Sequence, residues 1–382
     1  MSAGCSSYEL LRCLVRRTPE AAGAIKELAE KVDDWESLLA LAREHRISTL
    51  LYRQLPELGE SVPVAVREQL RTEYQRNILQ TLANAAELVQ LLKEFDSQSI
   101  FAMPFKGIVL AASVYGDLAA RPAGDLDVLI HYRSLEAATR ILRERGFELT
   151  TEANADGSPA VPDYFEFNFV RPADGMVVEL RWRLELTQPR FRRNLGMDWV
   201  WPGRRTATLA GAQVPDMNPE VTLLVLCMHG SKHVWSRLIW VCDVAQLLAA
   251  RPGLDWKETF AQAKRHGLSR ALALGVLLSH RITGVPVPPA VLKNLGADSA
   301  ISALAMHIDE NLFDAPGSLP LSRVPYNLRL LDFSDRARLI LSAEYWRPND
   351  RDIEAFPLPK PLYPLYFLIR PIRILRNRSP RR

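Results

Sequence analysis

The chain has 382 residues, 48% of them apolar and 24% charged, a balance that suits folded domains and argues against a disordered or fibrous chain. No uninterrupted apolar run reaches the length of a membrane-spanning helix, and the N-terminus lacks the apolar block of a secretory signal, so a cytoplasmic location is expected. The net charge of +4 is unevenly placed: seven basic and no acidic residues lie between Lys360 and Arg382, which leaves 4 − 7 = −3 for residues 1–359 and excludes a broadly basic, nucleic-acid-coating body.

In chain order, residues 8–95 read as helices. The stretch DWESLLALAREHRISTLLYRQL (34–55) has apolar residues at helical spacing behind an N-cap at Asp33 or Asp34, and residues 66–95 form a long amphipathic pattern free of Gly and Pro. The period then changes. SIFAMPFKG (99–107) reads as a short buried strand closed by glycine, IVLAASVYG (108–116) as a helix, and DLDVLIH (125–131) as a strand. A helix over 134–146 has Ser134 as N-cap and Gly146 as its stop. YFEFNFV (164–170) and MVVELRWRL (176–184) flank Asp174-Gly175, a hairpin turn pair. Helices resume at Asn218-Pro219, with a long one over 220–250 and others to about 347. The expected divisions are therefore an N-terminal helical region (1–98), a compact αβ unit (99–215), a C-terminal helical domain (216–347) and a Pro-, aromatic- and Arg-rich tail (348–382). Four scattered cysteines form neither a zinc motif nor a disulfide framework.

Chemistry is concentrated in the middle. Residues two apart on a strand share a face, so Asp125 and Asp127 stand side by side while Leu126, Val128 and Ile130 face the opposite way. Two adjacent carboxylates repel unless a counter-charge is supplied, and a divalent cation supplies it. The alternation in VVELRWRL puts Glu179 on one face with Arg181, a third carboxylate beside a cation suited to phosphate. Lys106 and Gly107 close the first strand where a helix begins, a geometry that admits an anion. Arg121 either meets phosphate or pairs with Asp117 or Asp125. His229 and His233 share a helix face, and Asp243 lies in an apolar helix where it needs a partner such as Lys232, Arg237 or a histidine.

The segment FKGIVLAASVYGDLAARPAGDLDVLI (105–130) resembles the core motif of the uncharacterised bacterial nucleotidyltransferases, within the DNA polymerase β-like nucleotidyltransferase superfamily. Residues 34–55 and CMHGSKHVWSRLIWVCDVAQLL (227–248) are similar to the helical elements on either side of that motif. The resemblance implies an α+β fold with a mixed nucleotidyltransferase-like sheet between helical regions, and transfer of a nucleoside monophosphate from an NTP to an acceptor with release of pyrophosphate. It implies Mg²⁺ (or Mn²⁺) on Asp125, Asp127 and Glu179. Lys106, Gly107, Arg121 and Arg181 would receive the nucleotide, and His229, Lys232, His233 and Asp243 the acceptor. Two departures stand out: the turn is Lys106-Gly107-Ile108 where the wider superfamily has Gly-Ser or Gly-Gly, and Arg181 stands where a histidine is common. A catalytically degenerate nucleotide-binding or scaffolding module is the alternative. The acceptor, whether small molecule, RNA or protein, is not encoded in any recognisable pattern. The tail interleaves arginines with apolar residues, which suits packing on the body, an anionic membrane surface or nucleic acid.

Overall fold

In the computed structural model, residues 5–16, 19–150, 165–184, 195–313, 323–331, 336–337 and 356–366 are described. The N-terminal helices are α1 (Cys5–Val15), α2 (Pro19–Glu30), α3 (Trp35–Glu44), α4 (Ser48–Arg53), α5 (Leu55–Leu58) and α6 (Val64–Ser97). The helix expected over 34–55 is capped by Asp34, whose carboxylate accepts from the Ser37 amide, but it breaks at His45–Ile47, where Arg46 adopts φ 56°.

A five-stranded mixed sheet follows. Its strands are β1 (Ala102–Pro104), β2 (Asp125–Ile130), β3 (Glu148–Leu149), β4 (Glu166–Arg171) and β5 (Met176–Arg181), in the order β1-β2-β5-β4-β3. Strands β2 and β5 are parallel and the other neighbours antiparallel. Gly175 at φ 72° closes the β4–β5 hairpin, as the Asp-Gly pair predicts. Short α7 (Gly107–Leu110) gives way to a π turn over Ala111–Tyr115, where a single helix over 108–116 was expected; Gly116 at φ 68° ends it. Helix α8 (Leu135–Glu144) packs beside α6. After α9 (Met197–Val200) comes a hairpin absent from the sequence reading, β6 (Arg205–Leu209) with β7 (Ala212–Asp216), turned by Ala210 and Gly211 at positive φ.

The C-terminal helices are α10 (Pro219–Lys232), α11 (Leu238–Ala250), α12 (Trp256–His266), α13 (Ser269–Thr283), α14 (Pro289–Leu295), α15 (Ser299–Asn311) and α16 (Arg323–Leu330). The helix expected over 220–250 is two helices, because Val234 and Trp235 adopt φ 60° and 56° and turn the chain. Trp235 is fully buried against Gly230 and Gly275; a Cβ at Gly230 would lie 2.5 Å from the indole, so both helices must be bare there. The helices expected beyond 338 and the tail residues 367–382 lie outside the described residues.

The sheet separates two cores. Leu126, Val128, Ile130, Val178 and Leu180 join the second half of α6 and α8 in one core. Met103 and Leu129 turn the other way, into a larger core shared by the N-terminal and C-terminal helices. The helical regions expected as separate units are thus packed as one body, and α6 runs from that body (Val66, Leu70) to the sheet core (Leu88, Phe95). That arrangement leaves the polar part of the sheet facing α10 and α11.

Candidate functional site

The parallel register of β2 and β5 sets Asp127 directly opposite Glu179, with Asp125 one pleat away. On the next strand the antiparallel register pairs Asn168 with Glu179 and Glu166 with Arg181. Four carboxylates therefore share one sheet face: Asp125, Asp127, Glu166 and Glu179. Two cations lie among them. Lys106 Nζ is 2.8 Å from Asp127 Oδ1, and Arg181 pairs with Glu166 and Glu179 while its Nε lies 3.8 Å from Asp127. These groups and the residues of α10 and α11 line one cavity of about 450 Å³.

On the sheet face itself the four carboxylates outnumber the two cations among them, while Arg46, Lys232 and Arg237 line the other side of the same cavity. The protonation pattern follows. Burial and then the neighbouring Asp127 raise the carboxyl of Asp125, and the same two causes raise Glu179. Asp127 is also penalised by burial, but Lys106 and Arg181, with the hydrogen bond from Lys106, hold it below the usual range.

A divalent cation fits this donor set in chemistry, since all donors are hard carboxylate oxygens. Among the described residues no three His, Cys, Asp or Glu side chains are already disposed as a metal-ligand group, because Arg181 draws Glu179 and Lys106 draws Asp127. Two carboxylates completed by substrate phosphates are the usual way Mg²⁺ is held.

Lys106 and Gly107 form the turn at the end of β1, with Lys106 at φ 56° and Gly107 at φ 37°. A Cβ on Gly107 would stand 3.4 Å from the Asp125 carbonyl, so glycine keeps this turn pressed against the acidic strand. Lys106 is drawn onto Asp127 and is only 9% exposed.

Two expectations need correction. Arg121 does not face the cavity as an unengaged phosphate ligand, and its partner is neither Asp117 nor Asp125. Its Nε and Nη2 donate to both oxygens of Asp243 at 2.7 and 2.9 Å, in a buried bidentate pair that Tyr115 Oη joins at 2.8 Å. Asp243 accordingly has both oxygens engaged, and Arg121 is its partner in place of Lys232, Arg237 or a histidine. Burial works against the Arg121 charge, but Asp243 outweighs it and keeps the guanidinium protonated. The network ties the loop that leads into β2 to α11.

His229 and His233 stack edge-on with ring centroids 4.7 Å apart, and both contact Trp240. Burial and nearby Lys106 lower His229 far below its ordinary value; burial and Lys232 lower His233. Both rings are neutral near pH 7. Lys232 lines the same cavity. Glu166 and Asn168 were missed from the sequence, although the alternation of Phe165, Phe167 and Phe169 puts them on the polar face.

A mixed sheet carrying paired acids on adjacent strands, covered by helices that bring polar rings to the same cavity, defines the architecture of a nucleotidyltransferase-like fold. Residues 31–284 match the family described as uncharacterised nucleotidyltransferase, which is more than half of the chain. The protein belongs to that family. A solved structure, an antigenic nucleotidyltransferase-like protein from Paracoccidioides brasiliensis, is similar at 19% identity and a TM-score of 0.34, covering 58% of this chain and 92% of that one. No curated protein matches. No described helix is long and apolar enough to cross a membrane.

Proposed function

We propose that the protein is a metal-dependent nucleotidyltransferase that moves a nucleoside monophosphate from an NTP to an acceptor hydroxyl or phosphate and releases pyrophosphate. The carrying observation is the register that stands Asp127 opposite Glu179 with Asp125 beside them, on a sheet face where carboxylates outnumber cations. In this reading Asp125, Asp127 and Glu179 hold Mg²⁺ or Mn²⁺, whose chemistry is to withdraw charge from the transferring phosphoryl oxygens. Lys106 and Arg181 are poised to move from carboxylate to phosphate when a cation replaces them, and Gly107 leaves room for the phosphate chain. The neutral rings of His229 and His233 offer proton-accepting nitrogens on the side where an acceptor would enter, and Lys232 an additional donor. The Arg121–Asp243 pair positions the acidic strand and is left out of proton transfer.

The test is pyrophosphate release from each NTP with Mg²⁺ and a fractionated cell extract as the source of acceptor. Asp127→Asn should lower it by roughly 1,000-fold or more, the several kcal/mol that a lost metal contact represents. Undiminished release by that variant would refute the reading. A second reading has its own support: the Lys106–Asp127 and Arg181–Glu179 pairs partly neutralise the acids from within, as a degenerate nucleotide-binding module would. Mg²⁺-dependent NTP binding without pyrophosphate release from any NTP would favour it.

A further inference from the structure

The cations expected to meet phosphate are engaged elsewhere. Lys106 is on Asp127, Arg121 on Asp243, and Arg181 on Glu166 and Glu179. The opposite wall of the same cavity carries Arg46, Lys232 and Arg237, with Glu44 as the acidic residue among them. This wall carries more cations than carboxylates and faces a sheet where carboxylates outnumber cations.

Arg46 and Arg237 come from separate segments, the α3–α4 break and the α10–α11 break. The two breaks are fastened together: the buried His45 accepts the Leu238 amide on Nδ1 at 3.1 Å, and its carbonyl accepts the Ile239 amide at 3.2 Å. Trp235, anchored in its glycine pocket, fixes the second break from below. Both turns need backbone at positive φ on non-glycine residues: Arg46 in one, Val234 and Trp235 in the other. Such conformations cost about 1–3 kcal/mol each and persist only where packing enforces them.

The result is two guanidiniums brought to one cavity wall by fastened backbone. The charge on Arg237 is disfavoured first by burial and next by Arg46, against which Glu44 and Asp125 favour it more weakly. Among the described residues neither guanidinium has a carboxylate within ion-pair distance; Arg237 lies over the Trp240 ring, 5.5 Å from its centroid. Arg46 is close enough to Asp125 to favour its ionised form. Two guanidiniums lining one cavity wall, influenced by Glu44 and Asp125 but outside ion-pair distance of either, have the chemistry of an oxyanion site.

We propose that Arg46 and Arg237, assisted by Lys232, bind a phosphate or pyrophosphate group on the helical wall of the cavity, opposite the acidic sheet face. This rests on the nucleotidyltransferase reading for its substrate chemistry but not for its site. The group has two sources: the terminal phosphates of the NTP, which leave as pyrophosphate, or a phosphate carried by the acceptor.

Calorimetric titration of the full chain with inorganic pyrophosphate, inorganic phosphate and Mg·ATP separates these. The wild type should bind pyrophosphate, and the double variant Arg46→Gln/Arg237→Gln should bind it at least tenfold more weakly, with an unchanged far-ultraviolet circular dichroism spectrum. If Mg·ATP affinity falls in parallel, the NTP's terminal phosphates are the source. If Mg·ATP affinity is unchanged, and phosphate still binds the protein saturated with a non-hydrolysable ATP analogue, the acceptor supplies the group. Absent pyrophosphate and phosphate binding, or equal binding by wild type and double variant, overturns the proposal. Asp127→Asn separates the two claims, since it should stop turnover while the oxyanion still binds. Binding without turnover in the wild type sinks the enzymatic reading alone, and turnover without oxyanion binding sinks this one alone.

Discussion

Two buried charge clusters lie within one cavity wall of each other and are built on opposite terms. Around Asp243, one carboxylate meets one guanidinium in a bidentate pair, with a tyrosine hydroxyl filling a remaining lone pair. On the sheet face, four carboxylates meet two cations, and Asp125 and Glu179 are pushed toward protonation by burial and by Asp127. The first cluster is satisfied by the fold itself and the second is not. A balanced pair holds elements together, whereas an under-compensated cluster with shifted carboxyls is the kind of environment found at functional sites.

The largest effect expected from breaking this contrast is at Asp243. Asp243→Asn leaves the Arg121 guanidinium, 8% exposed, without its counter-charge, and should cost about 3–5 kcal/mol in urea denaturation. Because Arg121 lies four residues before Asp125, the same variant should also weaken the apparent Mg²⁺ affinity, while Tyr115→Phe, which keeps the ion pair, should cost only about 1 kcal/mol. A loss near zero for Asp243→Asn would place this pair in the same class as the sheet cluster.

The opposite sign is expected on the sheet. Asp125→Asn removes one of two repelling carboxylates and should raise Tm of the metal-free protein by roughly 1–3 °C, the scale of a stabilisation of about 1 kcal/mol or less in a chain of this size. Adding Mg²⁺ should raise Tm of the wild type and leave Asp125→Asn nearly unmoved. A stabilisation by Mg²⁺ that is equal in both proteins would move the cation away from this strand.

The two clusters also differ in how far they could be read from the chain. Asp125, Asp127 and Glu179 were legible because a period of two on a strand fixes which side chains share a face, and the apolar alternates Leu126, Val128, Val178 and Leu180 mark the other. Glu166 obeyed the same rule and went unread for want of a partner in the sequence; only the β4–β5 register opposes it to Arg181. The Arg121–Asp243 pair spans 122 positions, and no local pattern encodes a contact of that range. The breaks at Arg46 and at Val234–Trp235 contain no Gly or Pro, so propensity continues both helices through them. Tertiary packing, of His45 onto α11 and of Trp235 between two glycines, overrides it. The β6–β7 hairpin left a weak signal in Ala210-Gly211 that the surrounding short strands did not reinforce.

The finest separation of the clusters is by pH. Asp125 and Glu179 have folded pKa values above those of the unfolded chain, so the native state takes up these protons first, and their contribution to stability improves as pH falls through the folded values. Asp127, held low, acts in the reverse sense, contributing above its unfolded pKa and losing that as pH falls through the folded one. Other groups mask this in the wild type alone. His45, His229 and His233 are all lowered from 6.5, so acidification below that value costs stability, and Asp216, raised to about 6, adds stability on acidification. These effects are common to the wild type and Asp125→Asn and cancel in their difference. The Tm advantage of Asp125→Asn should therefore be full where the wild-type Asp125 is ionised and shrink as falling pH protonates it. With saturating Mg²⁺ it should reverse sign at pH 7.5, because the ionised carboxylate is then the stabilising form. An advantage that grows on acidification would mean that Asp125 is stabilised as the anion by the protein alone, and the demand for a cation at this face would vanish with it.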